Sequence, residues 1–195
     1  MDMRSLVVIA ALAGTAAAGP VVRIGSVGGT DTSAPGGRDD GITAGAGFRS
    51  GIFTAEIDYT YLSYDGTTGI GGDSHRVGGL LQAAVLQQHC RGGESYCPHV
   101  DIEAGMGRRW IEWQIERSGF EFNNLPGSTI DRTGTDYRIG LSVNMGLRFG
   151  VHYFVFKPDS GMPDISCRTT TGGCPMQVDG NEHGVMFEAA IAIGG

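Results

Sequence analysis

The chain has 195 residues, a length that suits one domain, with a formal net charge of −7 and 18% charged residues. A negative balance argues against nucleic acid or an anionic lipid surface as the main partner. Glycine is the outlier at 34 residues, without a collagen-like period, while the charged share falls below the usual level of about 25%, leaving little Lys and Glu to coat a soluble β-protein.

Residues 1–18 carry the marks of a secretory signal peptide. Arg4 supplies a thin basic region, Leu6 to Leu12 an apolar run, and Ala16-Ala17-Ala18 a small-residue cleavage site before Gly19. A cytosolic N-terminal helix is the alternative, on the strength of Asp2. Cleavage leaves 19–195 as one domain, in which no run of 18 apolar residues exists, so a helical membrane span is excluded there.

From Val21 onward the dominant period is two. After a plausible first strand over Val21–Val27, residues 42, 44, 46 and 48 are apolar against Thr43, Gly45, Gly47 and Arg49. Phe53, Ala55, Ile57, Tyr59 and Tyr61 then oppose Thr54, Glu56, Asp58 and Thr60. Residues 76–88 alternate poorly and read as a weaker strand. Val100, Ile102, Ala104 and Met106 oppose Asp101, Glu103, Gly105 and Gly107. The ten residues Tyr137 to Gly146 alternate throughout, Val151, Tyr153 and Val155 form a weaker split, and Val185 to Ile193 close the series. Such alternation means strands with one apolar and one polar face, and there are eight of them.

The connections alternate in length. Residues 28–41, 64–74, 117–135 and 158–182 read as long, Arg49-Ser50-Gly51 and Gly146-Leu147 as tight turns, and 89–99 as intermediate. An up-and-down antiparallel barrel in an outer membrane has this rhythm, with strands of about nine to eleven residues, short turns on one side and long loops on the other. Cys90 and Cys97 lie in one connection, Cys167 and Cys174 in another, each pair with six residues between its members. Two loop-closing disulfides in an oxidising compartment are the natural reading, since structural zinc pairs use closer spacing.

With 28–41 placed outside the cell, Tyr59, Tyr61, Trp110, Trp113, Tyr137 and Tyr153 sort toward one end of their strands, and Phe48, Phe53 and Phe149 toward the other. Two belts separated by aliphatic positions form a membrane girdle. The polar face combines glycines with charges of both signs: Glu56, Asp58, Asp101, Glu103 and Glu188 against Arg76, Arg138 and Arg148. An eight-stranded barrel is narrow enough to be filled by side chains, and buried charges require partners. The polar face is therefore expected inside as a lumen network, with Arg138 and Arg148 pairing the carboxylates, and the apolar face outside.

In these alternating strands and connections the chain resembles the small eight-stranded outer-membrane barrels of Gram-negative bacteria, the OmpA/OmpX-like group. The resemblance covers residues 21–193 and rests on pattern. It implies a bilayer-embedded monomer without a cofactor, whose loops meet an extracellular ligand or surface. Cysteine-bearing loops depart from the group, as does Ile193-Gly194-Gly195 where an aromatic usually stands, although Phe187 lies on the same face upstream.

Other chemistry is weaker. His89 and His99 flank the first cysteine pair and invite a metal; Ser142, His152 and Glu188 are candidate members of a hydrolytic triad; the i, i+2 carboxylates Glu56/Asp58 and Asp101/Glu103 suggest acid–base work or Ca²⁺. Ordinary surface polarity and interior ion pairing explain these residues more simply, so no catalytic, cofactor or metal site is assigned. A soluble lipocalin-like barrel holding a small apolar ligand, and a barrel enzyme or narrow channel, remain as alternatives.

Overall fold

The structure is a computed structural model that describes residues 18–31, 39–64, 70–87, 98–115, 129–159 and 181–194. The proposed leader, apart from Ala18, and all four cysteines lie outside them. The strands in chain order are β1 (Ala18–Asp31), β2 (Asp39–Ser50), β3 (Phe53–Tyr64), β4 (Ile70–Gln87), β5 (His99–Ile115), β6 (Thr129–Asn144), β7 (Arg148–Pro158) and β8 (Glu182–Gly194). Each pairs antiparallel with the next, and β8 returns to β1 to close the barrel. Closure gives every strand two hydrogen-bonded neighbours, so no open edge remains.

Turn chemistry sets the short connections. Gly51, with φ 64°, and Gly146, with φ 87°, take up left-handed backbone between β2 and β3 and between β6 and β7. These two turns, the 88–98 connection and the outer ends of β1 and β8 share one end of the barrel. Connections 32–38, 65–69, 116–128 and 159–181 leave from the other.

The strands run longer than the period-two pattern suggests, from 11 residues in β7 to 18 in β4. About half of 28–41 and of 64–74, and residues 129–135 of the third long connection, are strand, whereas 158–182 contributes only its two end residues. Residues 70–74, read as loop, belong to β4, where Asp73 pairs with Ser63, and Gly28 and Gly29 of β1 pair with both Asp40–Asp39 and Phe187–Met186. In Gly28–Asp31 and Gly71–Ser74 both faces are polar or glycine, so alternation fades there while the hydrogen-bond ladder continues. The connection of 65–69 is consequently shorter than that of 88–98 on the opposite end, and the alternation of lengths is less regular than expected. In β4 the irregular pattern has two causes. A register shift between Ala84 and Leu86 inserts an extra residue, and Leu80 and Ala84 turn inward.

The apolar face is outside. Along β3, Ile57 is 71% exposed while its neighbour Asp58 is 3% exposed. The same inversion holds for Ile24 beside Arg23 and for Leu141 and Val143 around Ser142. A lipocalin-like interior would need the opposite arrangement. The buried hydrophobic cluster is small: Val27, Leu62, Phe154 and Met186, from β1, β3, β7 and β8.

Candidate functional site

The interior is built from arginines and carboxylates that alternation turns inward. Among the described residues every strand but β2 supplies fully buried ones, and β2 supplies the half-buried Arg49. One network crosses the half of the barrel nearer the tight turns. Gln82 donates to Glu56 (3.1 Å), and Arg23 Nε donates to the other oxygen of Glu56 (3.0 Å). Arg23 Nη1 donates to Glu188 (2.6 Å), which also accepts from Arg148 Nε (3.2 Å). Arg148 Nη2 reaches Glu103 (2.5 Å), whose second oxygen lies 2.7 Å from His152 Nε2. Two guanidiniums thus bridge three glutamates contributed by β3, β5 and β8, and every one of these side chains is buried.

A second network lies in β3 to β6. Arg76 bonds Asp58 through Nη1 and Asp136 through Nε, the latter at 2.5 Å. Asp136 also accepts from Arg138 (2.9 Å), which donates on to Thr60 (3.1 Å). Arg109 approaches Asp136 at 3.8 Å, donates to Ser74 and stacks its guanidinium 5.1 Å from the Phe154 ring. Nearer the long-connection end, Arg132 pairs with Glu182 over the Phe156 ring.

Four further side chains engage at the tight-turn end. Asp101 accepts from Asn144 (2.8 Å) and lies 3.3 Å from His99, which in turn meets Arg49 at 3.4 Å.

Glycine makes the room. A Cβ built on Gly45 would lie 2.6 Å from Glu56 Oε2 and 3.1 Å from Arg23 Nη2. Gly45→Ala should therefore displace the Arg23–Glu56 pair and cost about 1–3 kcal/mol, the range for overpacking an interior. A denaturant midpoint unchanged from the parent protein would refute this.

The carboxylates expected inside, Glu56, Asp58, Asp101, Glu103 and Glu188, are buried, as is Arg148, and Arg138 is nearly so. Arg148 pairs with Glu103 and Glu188 and Arg138 lies 3.8 Å from Asp58, as anticipated, while other partners differ. Glu56 pairs with Arg23 rather than Arg138 or Arg148, Asp101 with Asn144 and His99, and Arg138 mainly with Asp136. Arg23, Arg109, Arg132, Asp136 and Glu182 were missed. Asp136 and Arg132 share the parity of Arg138 and lie just upstream of the Tyr137 run. Arg23 sits between Val21 and Gly25 at the inward parity of β1.

The three candidate triad residues, Ser142, His152 and Glu188, do not come together as a triad. His152 bonds Glu103, not Glu188, whose oxygen is taken by Arg23 and Arg148, and Ser142 is 1% exposed, shut away from any substrate. His89 lies outside the described residues, while His99 engages Asp101 and Arg49.

Outside, Tyr59, Trp110, Tyr137 and Tyr153 are exposed, and Tyr61 bonds Asp73 through its hydroxyl (2.6 Å). Trp113 pairs with Gly72, and its side chain lies outside the described residues. His75 sits between the tyrosines, 2.8 Å from Tyr59 Oη, and its β5 partner in register is Trp110. Phe48, Phe53 and Phe149 are exposed toward the tight turns. Toward the long connections the outward face becomes charged: Lys157 lies over the Tyr137 ring at 5.5 Å, and Arg108 grips Asp159 with both terminal nitrogens. That grip holds the Asp159 carboxyl below its ordinary range.

A closed eight-stranded antiparallel barrel with buried ion networks and an apolar exterior has the architecture of the small outer-membrane barrels. No protein-family model matches the sequence, and no curated protein matches it either. Solved structures do match in fold. Ail, the attachment invasion locus protein of Yersinia pestis, superposes with a TM-score of 0.51 at 11% identity, over 91% of this chain and 100% of that one. A major outer membrane protein from Thermus thermophilus gives 0.50 at 12% identity, over 91% and 100%. At such identities the likeness is one of fold.

Proposed function

We propose that the chain is a bacterial outer-membrane barrel with a side-chain-filled, non-conducting interior and a structural or adhesive role at the cell surface. The observation that carries this reading is the inversion of the barrel. Isoleucine, leucine, valine and phenylalanine face outward around the barrel, an arrangement that water penalises and a bilayer rewards. The tyrosines and Trp110 form the girdle at one interface, Phe48, Phe53 and Phe149 at the other, and the charged positions from Lys157 to Asp159 lie beyond the lipid. Residues 1–18 direct export and are then cleaved, and Cys90–Cys97 and Cys167–Cys174 close loops in the oxidising compartment. The barrel acts as a monomer.

The fold match to Ail, whose name denotes attachment and invasion, favours surface contact through the residues beyond the strand ends at the long-connection side. The interior favours neither a channel nor an enzyme. Arg76, Arg148, Glu103 and Asp136 are buried in the interior and held in ion pairs, which supports charges committed to one another rather than to a pore.

The test begins with extraction. The protein should pellet with membranes, require detergent for release, and migrate differently on a gel before and after boiling. Release by osmotic shock without detergent would overturn the membrane reading. Reconstituted in planar bilayers it should give no discrete conductance steps; regular steps would replace the filled interior with a pore.

A further inference from the structure

The outward face is not uniformly bulky. On β3, β4 and β5, near the tight turns, Ala55, Ala83 and Ala104 form the floor of a groove of about 650 Å³. Each small residue stands beside a large one across the ladder: Phe53 opposite Ala83, Ala83 opposite Ile102, Ala55 opposite Leu81, and Leu81 opposite Ala104. Phe48 of β2 completes the wall. This pairing of small with large cuts a furrow into an otherwise filled apolar band.

We propose that the groove seats one acyl chain of a membrane phospholipid. The inference rests on the membrane reading above and deepens it. Thr54, Gln82 and Glu103 border the groove but are buried on the interior side, and Gln82 is committed to Glu56. Among the outward side chains of the lining only Ser50, at the tight-turn end, is polar. A polar ligand would find no partners along the floor and would lose its hydration without return. A folded partner, including a second copy of this chain, is disfavoured by size. Eleven residues line the groove, whereas a stable protein interface uses about 20–30 residues a side. The volume lies within the range of small-molecule sites, about 300–1,000 Å³. An apolar, unbranched chain fits a furrow with a methyl-lined floor and aromatic and aliphatic walls, with its headgroup emerging beside Ser50.

The experiment folds the protein into phosphatidylcholine vesicles containing a small fraction of phospholipid with a photoreactive diazirine on one acyl chain. Insertion is verified first by heat-shifted gel migration and by sedimentation with the vesicles. After illumination, adducts are mapped by peptide mass spectrometry. They should concentrate on the β3–β5 positions of the groove, and Ala83→Leu with Ala104→Leu should abolish that concentration without altering the folded gel mobility. Because both alanines face outward, the added bulk meets lipid rather than the interior. An inserted barrel labelled evenly around its apolar band overturns the acyl-chain site alone, as does a cross-linked dimer joined through the groove. A chain that never enters vesicles overturns the site and the membrane reading together.

Discussion

Arg148→Met should destabilise the barrel by about 3–5 kcal/mol, the cost of breaking a buried ion pair by removing one partner. Arg148 is the link between Glu103 and Glu188, at 2.5 and 3.2 Å. Its loss leaves Glu103 with His152 and Ser142 and leaves Glu188 with Arg23, so two buried carboxylates each lose a guanidinium at once. The measurement is urea unfolding of vesicle-inserted protein, followed by tryptophan fluorescence or by loss of the fast-migrating gel band. Adding Glu188→Gln to Arg148→Met should restore part of the loss, because the amide needs no counter-charge, whereas a purely steric role for Arg148 would leave the double variant no better than the single. Arg148→Lys should fall between, keeping the charge but losing the two-pronged reach. The pair Arg138→Met and Arg148→Met offers a further check. Arg138 bonds Asp136 and Thr60, while Arg148 bonds Glu103 and Glu188, so the two losses should add to within about 0.3–0.5 kcal/mol.

These networks show where sequence reasoning stops. Parity along a strand tells which face a side chain takes, and it placed Glu56, Asp58, Glu103, Arg138, Arg148 and Glu188 on one face. Parity carries no information about height in the barrel. Strand tilt and stagger decide which charges meet, and Arg23 finds Glu56 and Glu188 at separations of 33 and 165 residues. The same limit applies to the candidate triad residues, since His152 and Glu188 share a face but the stagger delivers Glu103 to the imidazole. Strand length was underread for a different reason. The rim segments Gly28–Asp31 and Thr129–Asp136 are polar on both faces for most of their length, so the signal of a strand vanishes there although the ladder persists. With this stretch of β6 outside the alternating run, Asp136 was lost to view, and it is the acceptor that joins Arg76 and Arg138. In β4 the bulge at Ala84/Leu86 shifts the parity midway, and a two-beat template cannot follow it.

The exterior supports the prediction with the sharpest change of outcome. Leu141 is exposed on β6 midway between Tyr137 and the turn at Gly146, and it pairs with Val151. In a bilayer, Leu141→Arg places a guanidinium near the midplane of the apolar band and should cost about 2–4 kcal/mol. Thr133, on the same strand and the same outward parity but beyond Tyr137, lies where the Asp159 amide binds its carbonyl and where charge is already present. Thr133→Arg should cost about 0–1 kcal/mol, as expected near an interface. A protein whose exterior faced water would behave otherwise: both substitutions would stay within about 0.5 kcal/mol of the parent, and replacing an exposed leucine by arginine would improve solubility. The steepness along β6 therefore measures the medium around the barrel rather than the fold. Equal midpoints for Leu141→Arg and Thr133→Arg in vesicles would mean that no hydrocarbon layer crosses the strand between them. A large penalty at Leu141 alone would fix the bilayer against the band that Tyr137 and Phe149 bracket.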